Sequence, residues 1–248
     1  MQNFCDFSDP SDLRVLLLSG GAETSRIPHT ELVNAAASGA LAANAKNVFL
    51  CEEDENNGVL AEYLQPIVRL LPADSLTRCQ RDLGEFKAFY QDHHFGAAVF
   101  LGYHGLKDLK LLVNGIPTTG LGLLAETLAA LGVPVVACLG DVDSYEEVQK
   151  WMPRAAFLAI HAARSLEETN QVVREVVKSA VLERTERKRG VLSPPFEFEY
   201  SLTKPLDFST RPLLLDVTLK GQSFFWSTWD FLYGWKVFWN IHSRYGAK

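Results

Sequence analysis

The chain is long enough to fold around a core of its own, and its charge argues against a nucleic-acid partner. It has 248 residues, 47% of them hydrophobic, and a formal net charge of -6. A chain of this size buries a sizeable core without disulfides or metal. Because the acidic balance offers no field that attracts phosphate backbones, we expect no nucleic acid among the partners.

Neither the N-terminus nor the cysteines indicate a secreted or membrane-bound protein. The first residues contain no basic segment followed by an apolar stretch. No window reaches the roughly 18 uninterrupted apolar residues that a spanning helix needs. The four cysteines are scattered and form no CxxC pair. We therefore predict a reduced, cytoplasmic protein without membrane contact.

The N-terminal part of the chain predicts a β-α-β unit. Residues 14–18 are an apolar run that ends in Ser19, Gly20 and Gly21, which is typical of a buried strand that meets a turn. An alanine-rich helix is predicted over residues 30–45, and a second apolar strand follows at 47–51.

The same alternation continues through the middle of the chain. It predicts helices at about residues 60–71 and 121–131, and strands at 97–101 and 133–139. Such alternation favours an α/β fold in which a mostly parallel sheet is flanked by helices in a three-layer arrangement. Functional groups of these folds lie where the strands end.

The C-terminal part has a different composition. Two amphipathic helices, at 145–152 and 166–184, are followed by a proline-rich stretch that suggests an irregular excursion or an edge hairpin before a strand at 213–219. Residues 224–245 contain four of the five tryptophans and predict a terminal aromatic helix in a core or a subunit interface; an aromatic ligand cage or a membrane-surface anchor is the alternative.

These differences predict two parts. Residues 1–189 form a main α/β domain, and residues 190–248 form a smaller α+β portion, a strand and an aromatic helix, that packs on it. A single continuous domain is the alternative.

The strand at 97–101 carries a specific resemblance to a known family. With the residues on either side, it forms FGAAVFLGYH at 95–104, which resembles the signature strand of the DppA-type zinc D-aminopeptidases, whose Gly-Tyr-His provides a zinc-binding imidazole. Thr30, Glu31 and Asn34 resemble the start of the family's first helix, and VNGIPTTGLG at 113–122 resembles its turn before a later helix. The resemblance implies an α/β fold, a zinc hydrolase ancestry and a ring-like homo-oligomer.

Most of the zinc ligands that the resemblance implies are missing. Gly20 and Ala22 stand where the family has two carboxylates at the end of the first strand. Asp54 replaces a histidine, and the turn at Gly120 lacks the family's glutamate. Only His104 matches unchanged. The family's catalytic histidine has no counterpart either, because residues 105–114 contain no histidine.

The loss of ligands decides what we expect of a cofactor. Zinc hydrolysis needs about three or four protein ligands that hold the ion while it activates a bound water. We therefore expect no cofactor. If zinc binds all the same, the ligands would be His104, Asp54 and Glu23.

The candidate catalytic residues are His104, Asp54 and Glu52. Neighbouring carboxylates raise one another's pKa, so this acidic run could supply an acid or a base beside the imidazole. A solvated acidic loop is the alternative for the run, and turn hydrogen bonding is the alternative for Asp141 and Asp143. The candidate substrate-binding residues are Ser19, Gly20, Gly21, Glu23, Tyr103, Gly120, Asp141 and Asp143.

Three functions agree with this pattern. The favoured one is a repurposed, metal-free enzyme of a biosynthetic pathway that acts on an amino-acid-derived or acyl small molecule by acid–base chemistry in the former zinc cleft. The second is a D-aminopeptidase or amidase with an altered metal site and a peptide-like substrate. The third is a non-catalytic homo-oligomer that serves as a binding protein or scaffold.

Overall fold

A computed structural model describes most of the chain. The described residues are 12–20, 29–52, 59–71, 89, 92–102, 109–160, 165–187, 190–202 and 216–245. No helix in these ranges is long and apolar enough to cross a membrane.

A six-stranded parallel sheet forms the centre of the fold, in the order β3-β2-β1-β4-β7-β8. The first, second, fourth and seventh strands are buried almost throughout, because helices cover both faces of the sheet. The strands are β1 Arg14–Ser19, β2 Asn47–Glu52, β3 Val68–Leu70, β4 Ala97–Leu101, β7 Val135–Gly140 and β8 Ala156–Ala159.

Two helix layers enclose this sheet, which confirms the predicted three-layer α/β class. The helices are α1 His29–Ala42, α2 Gly120–Ala130, α3 Tyr145–Trp151 and α4 Leu166–Leu182. Side chains alternate along each strand, so Val15 and Leu17 face α1 and α4, whereas Leu16 and Leu18 face α2 and α3.

A second, antiparallel sheet has its own apolar core. Its strand order is β10-β11-β9-β5-β6, and the helix α5 Phe231–Tyr245 packs against it. The strands are β5 Leu111–Val113, β6 Ile116–Thr118, β9 Phe196–Ser201, β10 Thr218–Lys220 and β11 Ser223–Thr228. Because two of these strands come from the middle of the chain, the second sheet draws on sequence before residue 190. The predicted domain division at that residue stays a prediction.

Three predictions about single elements are wrong. Residues 60–71 form a 3-10 turn, Ala61–Tyr63, and the strand β3 instead of a helix, because Pro66 has no N–H for a helical hydrogen bond. The stretch after residue 190, predicted as an irregular excursion or an edge hairpin, contains β9, the central strand of the second sheet, and its part from residue 203 lies outside the described ranges.

The aromatic tail begins as a strand and not as a helix. β11 pairs with β9, and its alternation buries Phe224 and Trp226 on one face. The helix starts only after Asp230, whose Oδ1 accepts hydrogen bonds from the backbone N–H groups of Leu232 and Tyr233. This cap satisfies N–H groups that the first helical turn leaves unpaired.

Candidate active site

The carboxyl ends of β1, β2 and β4 bring a group of polar residues together. Ser19 is in register with Glu52 on one side and with Leu101 on the other. By the alternation of the strands, the Ser19 and Glu52 side chains lie on the α1 face of the sheet. Ser19 is 0% exposed and Glu52 is 8% exposed. Buried polar groups are expensive without partners, so their hydrogen bonds define the site.

Ser19 forms a direct hydrogen bond with a histidine that the sequence analysis did not select. The Ser19 hydroxyl Oγ contacts Nε2 of His29, the first residue of α1, and His29 is only 6% exposed. The donor and acceptor roles depend on the tautomer of the ring. A hydroxyl and an imidazole nitrogen in direct contact can exchange a proton.

Burial lowers the pKa of His29 below its ordinary value of 6.5. Desolvation penalises the charged imidazolium, so the neutral ring is the form present at neutral pH. A neutral imidazole has one nitrogen that can accept a proton, which is the state that a general base needs.

His29→Gln is expected to flatten the pH dependence of stability. The lowered pKa means that the stability contribution of neutral His29 is complete above pH 6.5 and is lost as pH falls through the folded-state pKa. Between pH 7.5 and 5.5, the unfolding free energy of the wild type should therefore fall further than that of the variant. Urea denaturation at both pH values measures this difference. The exposed His94→Gln is the control and should follow the wild type; an equal loss in His29→Gln and wild type would contradict the assignment.

Glu52 and Thr30 tie the next segment to the same edge. Burial raises the pKa of the Glu52 carboxyl, while a hydrogen bond from the backbone of Val59 partly opposes the shift. Thr30 Oγ1 accepts a hydrogen bond of 2.9 Å from the backbone N–H of Leu60. Both contacts fix residues 59 and 60 over the carboxyl ends of β1 and β2.

The end of β4 borders the serine–histidine pair with a glycine. Gly102 has a φ of +60°, a backbone conformation that favours glycine. A Cβ at this position would lie 3.6 Å from the Gly20 carbonyl oxygen and 3.9 Å from His29 Cε1. The backbone N–H of Gly20 donates to the Leu101 carbonyl at 3.0 Å and holds the turn against β4.

The other predicted binding residues in the described ranges have structural contacts. Asp141 Oδ1 accepts from the Ser144 backbone N–H at 3.2 Å, which is the turn hydrogen bonding expected as the alternative. Asp143 is exposed in the same turn, and Gly120 is buried at the start of α2. A role for these three in substrate binding stays a prediction.

Five predicted site residues lie outside the described ranges, and their roles also stay predictions. They are Gly21, Glu23, Asp54, Tyr103 and His104.

The residue that sequence reasoning missed, His29, had one usable signal. In a β-α-β unit the first turn of the helix lies over the carboxyl end of the preceding strand, and a polar residue there therefore stands close to the strand's last residues.

The donor set in the described ranges does not fit zinc. Those ranges contain no group of three or more histidine, cysteine, aspartate or glutamate side chains arranged to hold a metal ion. His29 and Glu52 are two potential donors at the carboxyl edge, whereas a zinc site takes at least three from the protein. The ligands proposed from the sequence, His104, Asp54 and Glu23, all lie outside the described ranges.

Comparisons with known proteins identify the family. No curated protein matches the sequence significantly. The Zn-dependent D-aminopeptidase DppA from Bacillus subtilis, described as a self-compartmentalizing protease, shares the fold with a TM-score of 0.67 and 15% identity, over 94% of this chain and 98% of that chain. The WbmG enzyme of Bordetella bronchiseptica, in complex with NAD and UDP, reaches a TM-score of only 0.32 at 10% identity, over 69% of this chain and 50% of that chain. A family model described as D-aminopeptidase matches residues 18–214. The chain therefore belongs to the D-aminopeptidase family.

Proposed function

We propose that the chain is a metal-independent enzyme of the D-aminopeptidase family. It acts on an amino-acid-derived or acyl small molecule by acid–base chemistry at the carboxyl edge of β1, β2 and β4. The observation that carries the proposal is the buried polar group of Ser19, His29 and Glu52 at this edge. The strand ends of α/β sheets are where such folds bind their ligands.

The burial of these groups supports a chemical role. A hydroxyl, an imidazole and a carboxyl are held where α1 meets the strand ends, and an apolar side chain at any of these positions would avoid the cost of burying a polar group. Burial lowers the pKa of His29 and raises that of Glu52, and groups with altered proton affinities concentrate at functional sites. Family membership supports a peptidase-like hydrolase as the general class of activity.

His104 and Asp54 complete the site in this proposal. Each follows the end of a strand next to β1, and the sequence resemblance gives His104 a site role in the family. In the proposed enzyme His104 and Glu52 act as the acid and base, and Asp54 orients the substrate or the His104 imidazole. Gly20 and Gly102 place no side chain beside the serine–histidine pair.

A hydrolase with an altered metal site is the second candidate. It is favoured by one observation, the zinc dependence stated for the DppA enzyme that shares the fold. That enzyme is also described as self-compartmentalizing, which supports the proposal that this chain forms a homo-oligomer. Trp229 and Tyr233, 75% and 42% exposed, are apolar groups that a subunit contact would cover.

Chelation separates the two candidates. Purified protein is assayed on aminoacyl amides, aminoacyl esters and D-aminoacyl dipeptides, before and after dialysis against EDTA and with added zinc. Release of free amine or alcohol should continue after EDTA, and Glu52→Gln should lower the rate by about 100-fold because an acid–base group is lost. The matched control is Glu62→Gln, at an exposed position. Activity that EDTA abolishes and zinc restores would establish the second candidate instead.

A further inference from the structure

The serine–histidine pair at the end of β1 places a hydroxyl nucleophile beside a base, an arrangement that acid–base chemistry alone does not require. Ser19 Oγ and His29 Nε2 are in direct contact, and a nucleophile within hydrogen-bond reach of a base is the arrangement that activates a serine. We propose that Ser19 is a covalent nucleophile with His29 as its general base, and that the site transfers the acyl group of an amino-acid amide or ester. This inference rests on the proposed function and specifies its chemistry.

The position of the pair supports this role. Val15 and Leu17, which precede Ser19 on the same face of β1, are apolar core residues. Ser19, the last residue of the strand, is the first polar side chain on this face. His29 is the first residue of α1, a helix that packs along α4. The base is thus fixed to a rigid element, which keeps Nε2 directed at the hydroxyl.

The close packing of α1 against α4 holds the backbone of α1 in place. Gly39 lies at the contact, where a Cβ would stand 2.5 Å from the Arg174 carbonyl oxygen. Such a distance shows that the two helix backbones touch.

The proposed reaction balances without a further reactant apart from water. Ser19 Oγ attacks the acyl carbon while His29 Nε2 takes the hydroxyl proton, so a C–Oγ bond forms. The C–N or C–O bond to the leaving group then breaks, and His29 gives its proton to the departing amine or alkoxide. Water attacks the resulting ester, His29 takes a proton from it, and the C–Oγ bond breaks. Ser19 regains its proton as the carboxylic acid leaves.

Gly102 borders the imidazole without a side chain of its own. This glycine is partly exposed, and a carbon atom attached to it would meet His29 Cε1 at 3.9 Å, an ordinary contact. A small acyl group can therefore touch the imidazole from this side without meeting a side chain of residue 102. Because Ser19 itself is 0% exposed, the test needs a small reagent.

Labelling with diisopropyl fluorophosphate tests the nucleophile directly. The reagent forms a bond between Ser19 Oγ and phosphorus, fluoride leaves, and the hydroxyl proton passes to His29. The expected result is one diisopropylphosphoryl group per chain by intact mass, localised to Ser19 by peptide fragmentation. His29→Gln should slow the labelling by about 100-fold, because the base is removed.

Two controls accompany the labelling. Ser19→Ala should abolish the adduct, and Ser38→Ala, at a serine whose hydroxyl donates to the Asn34 carbonyl within α1, should label at the wild-type rate. Circular dichroism checks that each variant is folded. The wild-type result does not depend on any variant, so the proposal stays testable even if one of them fails to fold.

The outcomes separate this proposal from the function on which it rests. Wild-type protein without an adduct at Ser19, or an adduct whose rate is the same in His29→Gln, would overturn the nucleophile assignment. If turnover that resists EDTA persisted in Ser19→Ala, the acid–base function would stand without a covalent step. Turnover that requires zinc would overturn the proposed function, whatever the labelling shows.

Discussion

Gly234→Ala is expected to lower the free energy of unfolding by about 3 kcal/mol, the upper end of the usual cost of overpacking a core. A Cβ at Gly234 would lie 2.2 Å from Cε2 of Phe198. The ring cannot simply turn away, because it is stacked on Trp226 with centroids 5.0 Å apart and an interplanar angle of 7°. The clash therefore exceeds the gain in helix propensity, about 1 kcal/mol, that alanine brings.

Chemical denaturation of four variants measures this clash. Lys236→Ala, at an exposed position of the same helix, should change the unfolding free energy by no more than about 0.5 kcal/mol. Phe198→Ala with Gly234→Ala should be no less stable than Phe198→Ala alone, because the smaller side chain removes the clash. A Gly234→Ala protein as stable as the wild type would show that α5 does not pack on β9 as described.

Glu126→Ala is expected to destabilise the protein by a similar amount, about 3 kcal/mol, because two backbone donors lose their acceptor. Glu126 is 4% exposed in α2, and its Oε1 accepts hydrogen bonds from the backbone N–H groups of Val191 and Leu192, at 2.6 and 3.3 Å. Leu192 packs against the cores of both sheets. The carboxylate thus fixes a segment that connects the two sheets. Denaturation at pH 7 measures the loss.

Glu126→Gln is the matched variant, because its amide oxygen can accept the same hydrogen bonds without a charge. Burial raises the pKa of Glu126, so its stability contribution is complete below pH 4.5 and is lost as pH rises through the folded-state pKa. At pH 7 the variant should be within about 1 kcal/mol of the wild type, and its relative stability should decrease toward pH 4. A Glu126→Gln protein as unstable as Glu126→Ala would contradict this account.

The sequence predicts the parallel sheet well because its strands are long apolar runs. β1, β2, β4 and β7 are buried on both faces, so their residues lack the alternation of a half-exposed strand and are easy to locate between turns. β3 and β8 are short edge strands of three and four residues. Their local sequence contains too few residues to distinguish a strand from a helix or turn.

For the aromatic tail, the sequence predicts burial correctly but part of the secondary structure wrongly. The sequence correctly indicates a buried aromatic cluster, but it predicts one helix over residues 224–245. Phe224 and Trp226 belong to a strand, whereas Trp235 and Phe238 belong to a helix. All four side chains lie in the same apolar core. Most residues of this segment are aromatic or apolar, so the period-two alternation of a strand cannot be told from the three-to-four-residue spacing of a helix. Only Asp230, which caps the helix, marks the boundary between the strand and the helix.

The candidate site is partly predictable for a related reason. Ser19 and Glu52 follow from the rule that strand ends carry function, and the structure brings them side by side. His29 lies ten residues further along the chain, and only the rule that the first turn of a helix stands over the end of the preceding strand could have found it. Pairings of this kind depend on the path of the connecting segment, which has no periodic pattern.

Metal content is the most direct measure of the central claim, that this family member works without a metal. Freshly purified protein is dialysed against metal-free buffer without chelator, and zinc per chain is determined by elemental mass spectrometry. The account predicts well under one equivalent of zinc. One or two tightly held zinc ions per chain would contradict it and would identify the chain as a metal-dependent hydrolase to be assayed on D-aminoacyl peptides.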